Sequence, residues 1–141
     1  MSILMNDELI GIDTVGLLAY FVNKHSTKVD EIFEKIETSK TKLLIPSIVI
    51  GEMIYTLIKE KEIFGEIIEK TKLEFILDTL YENPAFLIKD LTYEGWKLFL
   101  ELPISELHDR MIVATCKQEK VGKIITRDKE IVKSGLLQTI W

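Results

Sequence analysis

Four short apolar runs, LIGID (Leu9 to Asp13), LLIP (Leu43 to Pro46), AFLI (Ala85 to Ile88) and KIIT (Lys123 to Thr126), are separated by stretches of helical pattern. That alternation is the strongest constraint on the fold. A strand, a helix and another strand in succession pair in parallel through a right-handed crossover, so the chain is expected to form an α/β sandwich. The expected architecture has three α/β/α layers around a central parallel sheet of four to five strands, with LLQTIW as the possible fifth.

The segments between the runs read as follows. TVGLLAYFV continues LIGID as a helix, and Val29, Ile32, Phe33 and Ile36 recur at helical spacing until about Thr38-Ser39. Ser47, after Pro46, is expected to cap a helix over IVIGEMIYTLIKEKE. FGEIIEKTKLEFILDTLYE reads as one more helix, stopped by Asn83-Pro84. Leu91 to Leu100 is a short helix closed by Pro103, and Ser105 opens ELHDRMIVATCKQEK, which should end at Gly122. A last short helix covers Asp128 to Lys133. With no repeat, linker or low-complexity tract, 141 residues are expected to make one domain, 1–141.

Composition excludes several classes. Hydrophobic residues at 47% and charged residues at 29% suit a globular protein rather than a disordered one. No apolar run reaches the ~20 residues of a bilayer span. MSILMNDELIG carries acids where a secretory leader has a basic region, so a cytoplasmic location is expected. Cys116 is a lone cysteine, which excludes an internal disulfide and a zinc knuckle and leaves it as a small core residue. A net charge of -5 argues against coating nucleic acid through bulk positive charge, but it suits a site built of carboxylates.

In an open parallel sheet, ligands bind beyond the C-terminal strand ends, near the point where strand order reverses. Asp13 and Asp128 each follow a strand at such an end. Either could be an ordinary helix cap. Asp109 stands in the first turn of an apolar helix, where a negative charge also compensates the helix dipole. Glu52 has the mostly apolar helical neighbours Ile48, Val49, Tyr55 and Thr56, so it needs a cation, a hydrogen-bond partner or a proton unless it is simply exposed. The set of four carries more weight than any member.

GIDTVGLLAYF, PSIVIGEMIY, ELHDRMIVATC and IITRDKEI resemble, in order and spacing, the four acidic motifs of PIN-domain nucleases. The resemblance covers nearly the whole chain. It implies a pocket lined by Asp13, Glu52, Asp109 and Asp128, supported by Thr14 and Thr126. It further implies an RNA substrate, and similarity to small members that are the toxin half of a VapBC-type toxin-antitoxin pair, inhibited by a separately encoded antitoxin and often homodimeric.

Carboxylates are hard ligands suited to Mg²⁺ or Mn²⁺, which activate water and polarise phosphoryl oxygens. Asp13 and Asp109 are the first choice of ligands. Glu52 and Asp128 would complete the shell, act through water or hold a second ion. The expected activity is metal-dependent endoribonuclease cleavage; a noncatalytic RNA-binding or assembly module of the same fold is the main alternative, and a DNA nuclease the third. A receiver domain would need an acid pair at the first strand, and a haloacid-dehalogenase-type phosphatase an Asp where Val15 stands.

The two arginines, Arg110 and Arg127, adjoin proposed catalytic acids, and at least one is expected to hold substrate phosphate rather than form an ion pair. His108 has no second histidine at ligand spacing and is expected to play no catalytic part. Tyr93, Trp96 and Phe99 form a stripe expected to be core or dimer surface. The apolar helices from Ile48 to Leu80 are candidates for a partner interface.

Overall fold

A computed structural model describes residues 8–38, 40–59 and 62–141. The expectations resting on Met1–Asp7, on Ser39 as a helix end and on Glu60-Lys61 as the tail of a helix lie outside these residues. The elements in chain order are β1 (Leu9–Ile12), α1 (Thr14–Val22), α2 (Thr27–Thr38), β2 (Lys42–Pro46), α3 (Ser47–Ile58), α4 (Leu73–Glu82), β3 (Phe86–Lys89), α5 (Tyr93–Glu101), α6 (Leu107–Gln118), β4 (Lys123–Ile125), α7 (Lys129–Ser134) and β5 (Gln138–Ile140).

Among the described residues five strands make one parallel sheet in the order β3-β2-β1-β4-β5, flanked by the helices in a three-layer α/β/α arrangement. The reason lies in burial. Successive strand residues point to opposite faces, yet Leu43, Leu44 and Ile45 are all fully buried, as are Ile124 and Ile125. A strand apolar on both sides must be covered on both sides. The chain leaves β1 toward β2 and β3, then returns to the other side of β1 with β4 and β5. The order therefore reverses between β1 and β4, where Gly11 pairs with Ile124 and Ile12 with Ile125. Gly11 also lets α6 come close: a Cβ there would lie 2.7 Å from Cys116 Sγ, and Cys116 is buried as expected.

Several local expectations are corrected. The helix expected over FGEIIEKTKLEFILDTLYE starts only at Leu73, after a 3-10 turn at Lys70–Lys72. Before it, Phe64 (φ 49°) and Gly65 (φ 83°) close a two-residue turn in which Ile63 and Glu66 exchange backbone bonds of 2.6 and 2.9 Å. Gly65 permits that left-handed conformation, and so breaks the helical run. Ser47 does not cap α3: it is the first helical residue, and Pro46 occupies the cap position without a side-chain bond. Ser105 does not open α6 either. Glu106 caps it, while Ser105 donates its hydroxyl to Glu130 Oε2 at 2.8 Å. α6 ends at Gln118, with Lys120 rather than Gly122 in the left-handed conformation (φ 59°).

Candidate active site

The backbone turn after β1 aims Asp13 into the molecule. Its Oδ1 accepts the Gly16 amide at 2.8 Å as the N-cap of α1, and its Oδ2 accepts the Thr126 hydroxyl in a short hydrogen bond. Gly16 is required there, since a Cβ would stand 2.8 Å from Ile12 and 3.1 Å from the Ile125 carbonyl. Thr126 follows β4, the neighbour of β1, so the link closes the point of strand reversal. The same threonine oxygen accepts the Asp128 amide at 3.0 Å. Asp128 in turn caps α7 through the Ile131 amide at 3.0 Å. The capping roles of both acids are real, and each still presents its carboxylate to a common cleft.

That cleft, of about 560 Å³, is lined by Asp13, Thr14, Glu52, Asp109, Arg127 and Asp128, with further wall from α1, α6 and Lys129. All four acids singled out in the sequence meet in it. Glu52, from α3, is held at both oxygens: Thr14 donates to Oε1 at 2.6 Å and His108 Nδ1 stands 2.9 Å from Oε2. Thr14 and Thr126 thus each hold one acid. Asp109 lies in the first turn of α6, where its amide donates to Glu106 Oε2 at 2.6 Å.

Burial and crowding raise two of these acids. Asp13, only 5% exposed, is pushed up to about 6, chiefly by loss of solvent. The Thr126 and Gly16 bonds oppose that rise, and the charges of Asp128 and Glu52 add to it. Asp109 is pushed up to about 7 by burial, then by the neighbouring Asp128 and Glu106. Negative charge is thus concentrated beyond what the cleft's own groups neutralise. Oxygen donors in that state fit a hard divalent cation, and Mg²⁺ commonly takes only one or two carboxylates and keeps several waters. Among the described residues, no three acids or histidines stand close enough, as placed, to surround an ion by themselves.

Arg110 departs from expectation. Consecutive helical residues do not share a face, so beside Asp109 it points out of the cleft. Its guanidinium donates to the carbonyls of Phe99 (2.7 Å), Leu100 (3.0 Å) and Ile104 (3.4 Å) and lies over the Phe99 ring. It closes the C-terminal end of α5 and does not line the carboxylate cleft. Arg127 does line the cleft, and its guanidinium packs against Phe64 and Trp141, 5.1 and 5.0 Å from the ring centres. Among the described residues no carboxylate forms an ion pair with it.

His108, expected to play no catalytic part, and Glu106, for which the sequence offers no role, both stand beside the cleft. His108 bridges Glu52 and Glu106, at 2.9 and 3.4 Å. The only local signal is their spacing around Asp109, within Glu-Leu-His-Asp; contact with Glu52 depends on α3 and α6 packing together.

The PIN domain family model matches residues 10–135, nearly the whole chain. Among solved structures, VapBC2 from Rickettsia felis, bound to a DNA fragment from its promoter, is similar with a TM-score of 0.66 at 18% identity, covering 94% of this chain and 97% of that one. FitAcB from Neisseria gonorrhoeae has a TM-score of 0.65 at 14% identity, covering 94% and 96%. Mycobacterium tuberculosis VapC20, a toxin that cleaves the sarcin-ricin loop, has a TM-score of 0.61 at 12% identity, covering 89% and 95%. No curated protein matches the sequence. With a family model spanning both halves of the sheet and a fold shared with these proteins, the chain belongs to the PIN-domain family.

Proposed function

We propose that this protein is a Mg²⁺- or Mn²⁺-dependent endoribonuclease, the toxin of a toxin-antitoxin pair, acting in the cytoplasm as one domain. The observation that carries the reading is the convergence of Asp13, Glu52, Asp109 and Asp128 from four distant segments on one cleft, two of them with pKa values raised toward neutrality. Asp13 and Asp109 would hold the metal, with Asp128 and Glu52 completing its surroundings directly or through water. The bound cation supplies the Lewis acidity that polarises a phosphoryl oxygen and lowers the pKa of an attacking water.

The chain's own groups do the positioning. Thr126 and the Gly16 amide fix the Asp13 carboxylate, so it cannot turn away from the cleft. Thr14 and His108 clamp Glu52, which keeps spare lone pairs to orient the attacking water. Arg127, on the rim, meets the backbone phosphate.

Two apolar surfaces support protein partners. A groove of about 500 Å³ between α1 and α4, flanked by the exposed Ile67 and Phe75, suits a segment of the antitoxin. The exposed Tyr93, Trp96 and Leu100 of α5 suit a second copy of the chain. No helix among the described residues is long and apolar enough to cross a membrane.

The test is cleavage of a panel of structured and single-stranded RNAs with Mg²⁺, Mn²⁺ or EDTA, beside Asp109→Asn. Metal-dependent cutting that the variant lacks, with Mg²⁺ raising the melting temperature of the parent protein, is expected. Equal cutting by both proteins would refute the assignment.

A further inference from the structure

Arg127 forms part of two cavities. Beyond the carboxylate cleft it lines a shallow groove of about 430 Å³, whose other walls are the loop of residues 23–26, Phe64 and Trp141. Arg127 therefore stands between the two hollows. Phe64 and Trp141 stand nearly parallel, 21° apart in plane, with centres 6.4 Å apart, and both rings are only partly buried. Lys24 lines the same groove. In a protein of net charge -5, this groove places Lys24, Arg127 and two flat rings beside the carboxylate cleft, while the nearly buried His25 side chain packs against Phe33 near Asp30.

The turn that presents Phe64 is also unusual. Phe64 has φ 49° at the first central position of a two-residue turn, a place that favours Asn, Asp or Gly. A bulky aromatic is held in a disfavoured backbone conformation so that its ring meets Arg127 and Trp141. Packing alone gives no reason for a cation beside the two rings, because an aliphatic side chain at residue 127 would fill the same contact.

Resting on the ribonuclease reading, we propose that Phe64, Arg127 and Trp141 form a stacking platform for one unpaired nucleobase of the substrate strand. The backbone of that strand continues past Arg127 into the carboxylate cleft. Stacking on aromatic and guanidinium faces accepts any base, whereas Lys24 meets the phosphate on the outer side. The platform thereby selects single-stranded over paired RNA, since a base in a duplex has no free face to offer.

The test uses Trp96→Phe, which leaves Trp141 as the single tryptophan. In EDTA, its fluorescence is followed while a single-stranded RNA tetranucleotide is added, and again with an abasic ribose-phosphate tetramer of equal length. The base-bearing strand is expected to quench Trp141 and bind about tenfold more tightly than the abasic one. Phe64→Leu, which keeps apolar bulk, should remove most of that tenfold difference in binding, read by anisotropy of a labelled strand, without changing abasic binding. Equal quenching by both strands, or a Phe64→Leu protein that still distinguishes them fully, overturns the platform. Cleavage in Mg²⁺ is measured on the same preparation. Cutting without base-dependent quenching rejects the platform alone, whereas quenching without cutting supports the platform and rejects the nuclease reading.

Discussion

Replacing Asp13 by Asn should stabilise the metal-free protein, although it removes a group proposed to be essential. Asp13 is nearly fully buried and its pKa rises from 3.8 to about 6, a shift of about two units. At about 1.4 kcal/mol per unit, the ionised carboxylate costs the fold about 3 kcal/mol at pH 8. Asn keeps the oxygen that caps α1 through the Gly16 amide, but the Thr126 hydroxyl, already accepting from Asp128, loses its acceptor. That loss offsets about 1 kcal/mol. The net gain is about 2 kcal/mol, or a rise in melting temperature of about 5–8 °C for a chain of this size.

The sign with pH follows from the direction of the shift. A raised folded-state pKa means that stability is greatest below the unfolded value of 3.8 and is lost as pH rises through about 6. The gap between Asp13→Asn and the parent should therefore be large at pH 8, shrink between pH 7 and 4, and reverse below that to about 1 kcal/mol in the parent's favour, where only the lost Thr126 bond remains. Thermal denaturation in EDTA across this range measures it. A variant less stable than the parent at pH 8, or a gap that does not change with pH, would refute the electrostatic account.

Two further outcomes test the frame around the site. Arg110→Ala should lower stability by about 2–3 kcal/mol, because two carbonyls at the end of α5 and that of Ile104 in the following loop lose a charged donor, and Arg110→Lys should not restore it, lacking the planar fork; a Lys variant that melts with the parent protein would contradict that role. Gly11→Ala should cost about 1–3 kcal/mol through its collision with Cys116 Sγ, and adding Cys116→Ala should recover part of that loss; strictly additive effects in chemical denaturation would show that the contact is not the cause.

The strands β1 to β4 were legible because each is apolar on both faces, a pattern that short surface elements do not share. Even LLQTIW, read as an optional fifth strand, pairs beside β4. Local chemistry misled where tertiary structure overrode it. Ile63, Ile67 and Ile68 carry helical spacing, yet Gly65 turns the chain and the helix begins only at Leu73. The four acids could be collected from the sequence because each sits next to a strand end or a buried helix face. Their holders were harder to read. Thr126 reaches Asp13 from 113 positions away, and His108 reaches Glu52 only because α6 packs against α3. Arg110 and Arg127 look equivalent as neighbours of acids. Helical phase turns one toward a helix end, and the loop after β4 leaves the other on the rim.

The seam between β1 and β4 has a kinetic consequence. Parallel pairing between segments so far apart in sequence closes a long loop before any contact rewards it, so this seam is expected to form late in folding. The acids stay scattered until it does. A chain emerging from the ribosome is then unarmed until the strand at Lys123–Ile125 has been made and inserted, and whatever chemistry the cleft performs switches on with completion of the fold rather than by degrees.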